Sequence, residues 1–240
     1  MQIISRSQEK LVRSLANKKY RKQEGLFILE GEKLLKEALD SDFELEMLLA
    51  TEEKATTLGL EDFTIADERS LQKLSQLKTS PGVLALAKMK ELTISEHADL
   101  FLLLDEVKDP GNLGTIIRSA EAFGVSAIIC SEQTVDQYNS KVVQASMGSI
   151  FRVPMRYESL EDFLQSKSTL NRYAIHLSGT SINQKTLQKP ALLVMGSESH
   201  GVSEDLLAHV DQCLTIPMQG RVESLNVSVA TAIALSAFQD

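Results

Sequence analysis

Asn112 and Arg118 stand close together in the run DPGNLGTIIRSAEAFG, Asp109 to Gly124, and join an amide that both donates and accepts to a permanent cation. Pro110 and Gly111 turn the chain sharply after the apolar strand DLFLLLDEV, Asp99 to Val107. Asn112 is then the expected N-cap, its side-chain oxygen accepting from a free N–H of the first turn. Leu113, Ile116, Ile117 and Ala120 recur at helical spacing, and Gly124 is the expected stop. Arg118 lies about 140° around the helix from Leu113, at the flank of this core stripe. There it can face a ligand, or it can pair with Glu121 at i+3 on a wet surface. The segment alone leaves both readings open.

Two further segments carry polar side chains next to turns. In LLVMGSESHGVS, Leu192 to Ser203, an apolar strand runs into a Gly-rich turn bearing Glu198. Gly196 and Gly201 have the separation of a phosphate-binding loop, but Val202 stands where its Lys is required. No G-x-G-x-x-G follows any strand, so a dinucleotide fingerprint is absent too. These glycines are expected to let the backbone approach a bound small molecule; the alternative is a plain turn before a helix capped by Ser203. In TIPMQGRVESLNVSVATAIALSAF, Thr215 to Phe238, a strand TIPM leads past Gly220 to Ser224 and Asn226, which flank Leu225 at the start of a helix. Its small residues, Ser228, Ala230, Ala232, Ala234, Ser236 and Ala237, suit a buried helix or an interface. The segment ASMGSIFRVP, Ala145 to Pro154, adds a Gly148 that breaks a short helix before a strand.

Apolar runs at Leu100–Leu104, Ala127–Cys130, Ala174–Leu177, Ala191–Met195 and Cys213–Ile216 alternate with helical segments. This predicts an α/β domain over 99–240 with a mostly parallel sheet and helices on both faces. Open parallel sheets bind ligands beyond their strand ends, where the polar segments sit. Residues 1–88 read as a smaller α/β domain: a basic helix, the strand FILEG, the helix EKLLKEALDS, the strand ELEMLLAT, the helix DERSLQKLSQL and then TSPGVLALAKM. The polar stretch 89–98 is the expected linker.

With 240 residues, 43% apolar and 24% charged, the composition is that of a globular protein with ample core. No run approaches the roughly 18 apolar residues of a membrane span. The N-terminal stretch has no apolar signal core, which points to a cytoplasmic protein. Cys130 and Cys213 lack ligand spacing and are expected to be reduced core thiols; the four histidines form no metal pattern, so no metal is expected. Residues 1–25 hold seven cations against two acidic side chains, a balance of +5 that leaves −13 on the remainder of a chain whose net charge is −8. That segment is either a phosphate-binding arm or a solvated amphipathic helix.

Taken in order, DPGNLGTIIRSAEAFG, MGSESHGVS and IPMQGRVESLNVSVATAIALS resemble the SpoU/TrmH family of the SPOUT superfamily, over about 99–240. Members of that family transfer methyl groups from S-adenosylmethionine to a ribose 2′-OH of RNA. KYRKQEGLFILEGEKLLKEAL, Lys19 to Leu39, is similar to the ribosomal-protein-like substrate-binding domain of the rRNA-modifying branch. The resemblance implies a catalytic domain tied in a trefoil knot, a topology that periodicity cannot show. It implies a homodimer that uses no metal, and an RNA substrate, rRNA before tRNA. Arg118 matches the catalytic Arg, with Asn112, Glu198, Ser224 and Asn226 around it. Gly196, Ile216 and Leu225 match cofactor-lining positions, with Met195 and Met218 as neighbours. Because a guanidinium deprotonates only with difficulty, Arg118 is expected to bind phosphate and stabilise charge rather than act as a base, with Ser224, Asn112 or Asn226 orienting the hydroxyl. The chain stops soon after its last helix, so RNA-binding tail residues of some relatives are expected to be absent. A non-catalytic RNA-binding assembly factor on the same fold is the alternative, and it has no need of these polar residues together.

Overall fold

The computed structural model describes residues 2–238; Met1 and residues 239–240, which hold the outer ends of the two expected domains and any tail, lie outside the described residues. In chain order the elements are β1 (Gln2–Ile3), α1 (Arg6–Ser14), α2 (Lys18–Glu24), β2 (Leu26–Glu30), α3 (Glu32–Leu39), β3 (Leu45–Ala50), α4 (Glu52–Leu58), β4 (Thr64–Ile65), α5 (Glu68–Leu74) and β5 (Val83–Lys88). They continue with β6 (Leu100–Leu104), α6 (Pro110–Ala122), β7 (Ala127–Cys130), α7 (Ser140–Ser146), β8 (Met155–Tyr157), α8 (Leu160–Ser166), β9 (Asn171–Ser181), β10 (Ala191–Met195), α9 (Glu204–Leu207), β11 (Gln212–Thr215) and α10 (Val227–Ser236). Two compact units result, one from residues up to Lys90 together with Asp136–Phe151, the other from Glu91–Val135 together with the chain from Arg152 onward.

In the first unit the strands lie in the order β1-β4-β3-β5-β2, with antiparallel pairs at β3-β5 and β5-β2 and parallel ones elsewhere. Ser5 and Gln8 close a capping box at the start of α1, satisfying first-turn donors that the helix itself cannot. α1 sends Val12 inward, and Leu15 just beyond it, to join Leu26, Ile28, Leu49, Leu71 and Leu86 in one core. Each such buried side chain contributes about 2 kcal/mol of transfer free energy. The helix α7 packs on β2 of this unit although it follows β7 in sequence.

Arg21 stands apart from the other six cations of residues 1–25. It is only 3% exposed. Its Nη2 and Nε donate to Asp136 Oδ2 at 2.6 and 3.1 Å, and Nη1 donates to the carbonyls of Leu15 and Ala16 at 2.9 and 3.0 Å. A buried guanidinium persists only with such pairing, so this cation belongs to the packing and not to a ligand surface. Arg6, Lys10, Arg13, Lys18, Lys19 and Lys22 remain exposed.

The second unit holds a parallel six-stranded sheet in the order β11-β9-β10-β6-β7-β8. Central strands of a parallel sheet are buried on both faces, which is why LFLLL, AIIC and ALLVM are continuous apolar runs. Phe101, Leu103, Ile129, Leu192 and Val194 meet Leu160, Phe163 and Leu164 of α8 and Leu206 of α9 in one core. α6 packs on α10, and the sheet is flanked by helices as expected. The expected linker divides differently: Met89 donates to the Gly25 carbonyl of the first unit, while Ile94 and Ala98 pack on the core of the second.

β8, three residues long, is the strand expected after Gly148, although no apolar run announces it. Two expectations change here. β9 extends well beyond Ala174–Leu177 at both ends, and β11 stops at Thr215, so IPM of TIPM is irregular chain. No helix among the described residues is long and apolar enough to cross a membrane. Cys130 is buried, Cys213 half-buried, and neither is in a disulfide; burial pushes the Cys130 thiol well above its ordinary range. Among the described residues no three His, Cys, Asp or Glu side chains gather as a metal cage.

Candidate active site

The helix α6 begins differently from its expected form. Asp109, not Asn112, is the N-cap: its Oδ1 accepts from the Asn112 N–H at 2.8 Å, with Pro110 at the first helical position, where a missing N–H costs nothing. A carboxylate three residues ahead of Asn112 outcompetes the amide for that role, and the Asn112 side chain is thereby released. The helix ends at Ala122, and Gly124 follows at φ 69°, the left-handed stop expected of it.

The released amide links two distant segments. Asn112 Nδ2 donates to Glu198 Oε1 at 2.6 Å, and its Oδ1 accepts from Asn226 Nδ2 at 2.9 Å. Asn226 Oδ1 accepts in turn from the Ser228 N–H and hydroxyl at 2.9 and 2.6 Å, so Asn226 is the N-cap of α10. That helix therefore starts at Val227, two residues later than the Leu225 start read from sequence. Both amides are committed to this chain, Glu198 to Asn112 to Asn226 to Ser228. Ser224 precedes it on an exposed loop and has no hydrogen-bond partner among the described residues.

Arg118 is exposed on α6, in a solvent stripe with Gly111, Thr115 and Ala122. The i+3 pairing with Glu121 is not made; Glu121 is engaged by Arg152. Among the described residues Arg118 has no hydrogen-bond or ion-pair partner.

Beside the network lies a cleft of about 410 Å³, lined by all five expected cofactor positions, Met195, Gly196, Ile216, Met218 and Leu225. Glu198 and Ser224 line it too, whereas Asn112, Asn226 and Arg118 do not. Its volume falls within the range of small-molecule sites, and its apolar walls beside a few polar groups are what such sites present. The residues are supplied by the end of β10 and the turn after it, the irregular chain after β11, the start of α10, and β9.

Gly196 has a second reason to be glycine, beside the one expected. The turn folds back on itself, Ser197 and Gly201 exchanging N–H···O bonds at 3.0 Å in both directions. A Cβ on Gly196 would lie 1.9 Å from the Gly201 carbonyl carbon and 2.1 Å from the Val202 nitrogen. The close approach is thus made by the protein's own backbone. Gly201, at φ 69°, takes the left-handed position that closes the turn.

Two residues beside the Gly-rich turn, Asp105 and Glu106, have no role in the sequence reading. Asp105, directly after β6, accepts from the Ser203 N–H at 3.0 Å and donates its own N–H to the Met195 carbonyl at 2.9 Å, pinning both ends of the Gly196–Val202 turn. Its position at the end of a buried strand was the available signal. Glu106 has φ 56°, a conformation that side chains with a Cβ avoid, and its N–H is held by the Ser131 hydroxyl at 2.9 Å. Lys108, 2.8 Å away, holds the Glu106 carboxyl below its usual range by hydrogen bonding and charge, with His200 adding a smaller pull. The Lys108 ammonium is raised chiefly by Glu106, and further by the charge of Glu198.

Residues 99–236 match the SpoU rRNA Methylase family, and residues 7–85 match the MRM3-like substrate binding domain. The 23S rRNA (guanosine(2553)-2'-O)-methyltransferase RlmP of Bacillus subtilis is 32% identical over 230 residues, covering 92% of this chain and 91% of its own. A structure described as a putative RNA methyltransferase of the TrmH family, from Porphyromonas gingivalis, superposes with a TM-score of 0.86 at 35% identity, covering 98% of each chain. The AdoMet-bound rRNA methyltransferase of Sinorhizobium meliloti gives 0.85 at 30% identity, covering 100% of this chain and 97% of that one.

Proposed function

The chain belongs to the SpoU rRNA methylase family, and from that premise we propose that it methylates a ribose 2′-OH of 23S ribosomal RNA, in the cytoplasm, with Arg118, Glu198 and Ser224 meeting the substrate. It is an S-adenosylmethionine-dependent RNA methyltransferase. The observation that carries the site assignment is the Glu198–Asn112–Asn226 chain, which joins all three sequence motifs beside one cleft. The match of residues 7–85 to a substrate-binding domain, and an RlmP relative aligned over nine-tenths of the chain, favour rRNA over tRNA.

Met195, Ile216, Met218 and Leu225 would hold the cofactor by apolar contact and Gly196 by its backbone, in the bend of the knot that the family fold implies. S-adenosylmethionine supplies there a methyl group on a sulfonium that leaves as a neutral thioether. Arg118, permanently protonated, binds an RNA phosphate and stabilises the negative charge that grows on the ribose oxygen. The asparagines, engaged with each other, are positioning residues. The groups left to orient the hydroxyl are the Ser224 Oγ and the second carboxylate oxygen of Glu198, fixed through its first, and that oxygen takes the proton the hydroxyl gives up as its own oxygen is methylated, passing it on to solvent. Holding the attacking oxygen about 3 to 3.5 Å from the methyl supplies much of the acceleration.

RNA capture falls to the first unit. Lys18, Lys19 and Lys22 are exposed around Tyr20, itself 42% exposed, an arrangement suited to phosphates and a stacked base. On α10 the apolar Val229 and Ile233, 49% and 37% exposed at i and i+4, offer a second copy of the chain a contact for a homodimer. Sedimentation should show a dimer, and a monomer at every concentration would remove that reading.

The direct test supplies purified chain with S-adenosylmethionine and 23S rRNA lacking its 2′-O-methyl groups, and maps new ones by mass spectrometry. One newly methylated ribose is expected; transfer to a base, or none to any RNA, overturns the proposal. Under the same assay, Glu at Lys18, Lys19 and Lys22 should raise KM for RNA roughly tenfold and flatten its salt dependence, leaving cofactor affinity unchanged. Asn112→Asp replaces the donor to Glu198 with a second carboxylate. Transfer should slow about 30-fold with little change in Tm, because the damage is confined to exposed groups.

A further inference from the structure

Along β9 the pairing with β11 jumps: Cys213 lies opposite Ala174, yet Leu214 lies opposite Thr180. Residues 175–179 therefore have no partners on β11 and form a wide bulge. Gly179 anchors it, since a Cβ there would stand 2.6 Å from the Leu214 carbonyl carbon and 2.8 Å from that of Cys213. The bulge turns Ile175, His176 and Leu177 to the cleft, where Leu177 is 65% exposed. The Ser178 N–H donates to His176 Nδ1 at 3.1 Å. A backbone N–H can only donate, so Nδ1 carries no proton and the ring's proton resides on Nε2. Among the described residues Nε2 has no partner. A half-buried donor of fixed tautomer thus stands between two apolar side chains on the wall of a small-molecule cleft.

We infer that His176 is a cofactor-binding residue, its Nε2–H donating to an acceptor of S-adenosylmethionine, either on the nucleoside or on the methionyl carboxylate. The inference rests on the methyltransferase reading and adds to it a side chain outside the three motifs. Without a partner the donor would be desolvated at a cost when the cleft fills, so the bound acceptor and the imidazole need each other.

Calorimetric titration of the full chain with S-adenosylmethionine tests this, using His176→Ala, His176→Gln and His176→Asn. Ala should weaken binding about tenfold, the scale of one hydrogen bond. Gln, whose amide nitrogen reaches the place of Nε2, should recover most of that loss. Asn, which can still accept from Ser178 but ends short of Nε2, should remain as weak as Ala. Repeating the titration with methylthioadenosine locates the acceptor: a loss with both ligands places it on the nucleoside, a loss with S-adenosylmethionine alone places it on the carboxylate. Unchanged affinity in the Ala variant overturns the inference, as does equal rescue by Asn and Gln, which would make His176 a shaper of the bulge. Wild-type protein that takes no S-adenosylmethionine would overturn the methyltransferase reading as well, so the two failures are distinguishable.

Discussion

Arg118→Ala should lower methyl transfer by about a hundredfold to a thousandfold while the affinity for S-adenosylmethionine and the Tm stay at wild-type values. The separation of the three readouts follows from where the side chain stands. It is exposed, it has no partner among the described residues, and the carboxylate within reach at i+3 is taken by Arg152. Nothing in the fold depends on it. It also does not line the cleft, so cofactor affinity has no reason to change. In the mechanism we propose, what is lost is a fixed cation where negative charge develops, the kind of interaction whose removal costs about 3 to 4 kcal/mol of barrier. Arg118→Lys should fall between, because an ammonium keeps the charge but not the planar fork that grips a phosphate at two points. Single-turnover transfer to rRNA, with calorimetry of the cofactor alongside, decides it. Retained turnover in the Ala variant would assign the charge stabilisation elsewhere.

The second large effect is expected at Gly196. Gly196→Ala should reduce S-adenosylmethionine affinity at least a hundredfold and lower the stability of the second unit by roughly 3 kcal/mol. A methyl group there would lie within 2.2 Å of three backbone atoms of Gly201 and Val202, none of which can move without breaking the paired hydrogen bonds between Ser197 and Gly201. Asp105, which holds Met195 and Ser203 at the two ends, leaves the turn no slack. Opening the turn would displace Glu198 from Asn112 and deform the cleft wall together. Gly220→Ala is the matched control, since a Cβ there meets nothing within 4 Å and its stability should be unchanged. Calorimetry and thermal melts of the two variants check the contrast, and wild-type binding by Gly196→Ala would mean the turn can open at little cost.

How far the sequence reaches differs from feature to feature. β6, β7 and β10 coincide with their apolar runs because burial on both faces leaves no polar residue to blur the ends. The helix after DPG was legible from its core stripe, but its cap was not, because Asp109 and Asn112 both qualify and only geometry decides between them. The site residues were named through motif resemblance; that Asn112 joins Glu198 to Asn226 is a fact of positions 86 and 114 residues apart, invisible to any local pattern. The wall formed by Ile175, His176 and Leu177 was missed altogether, because a register jump between β9 and β11 has no signature in either strand. Gly179 was its only trace. Arg21 shows the opposite failure, a charge correctly counted and wrongly assigned, since nothing local announces that Asp136 will bury it.

The packing of residues 136–151 with the first unit means that the chain crosses between the units three times rather than once. A cut at the polar stretch near residue 90 would therefore yield a fragment lacking α7, and the face of β2 that α7 covers would be bare. On the ribosome the same order sets a schedule. The first unit cannot close until about 150 residues have emerged, by which time β6 and β7 are already made, so the two units mature as overlapping events and not as beads on a string. Exchange of one unit for another would have to respect all three crossings. The chain is two units in space and one interleaved path in sequence.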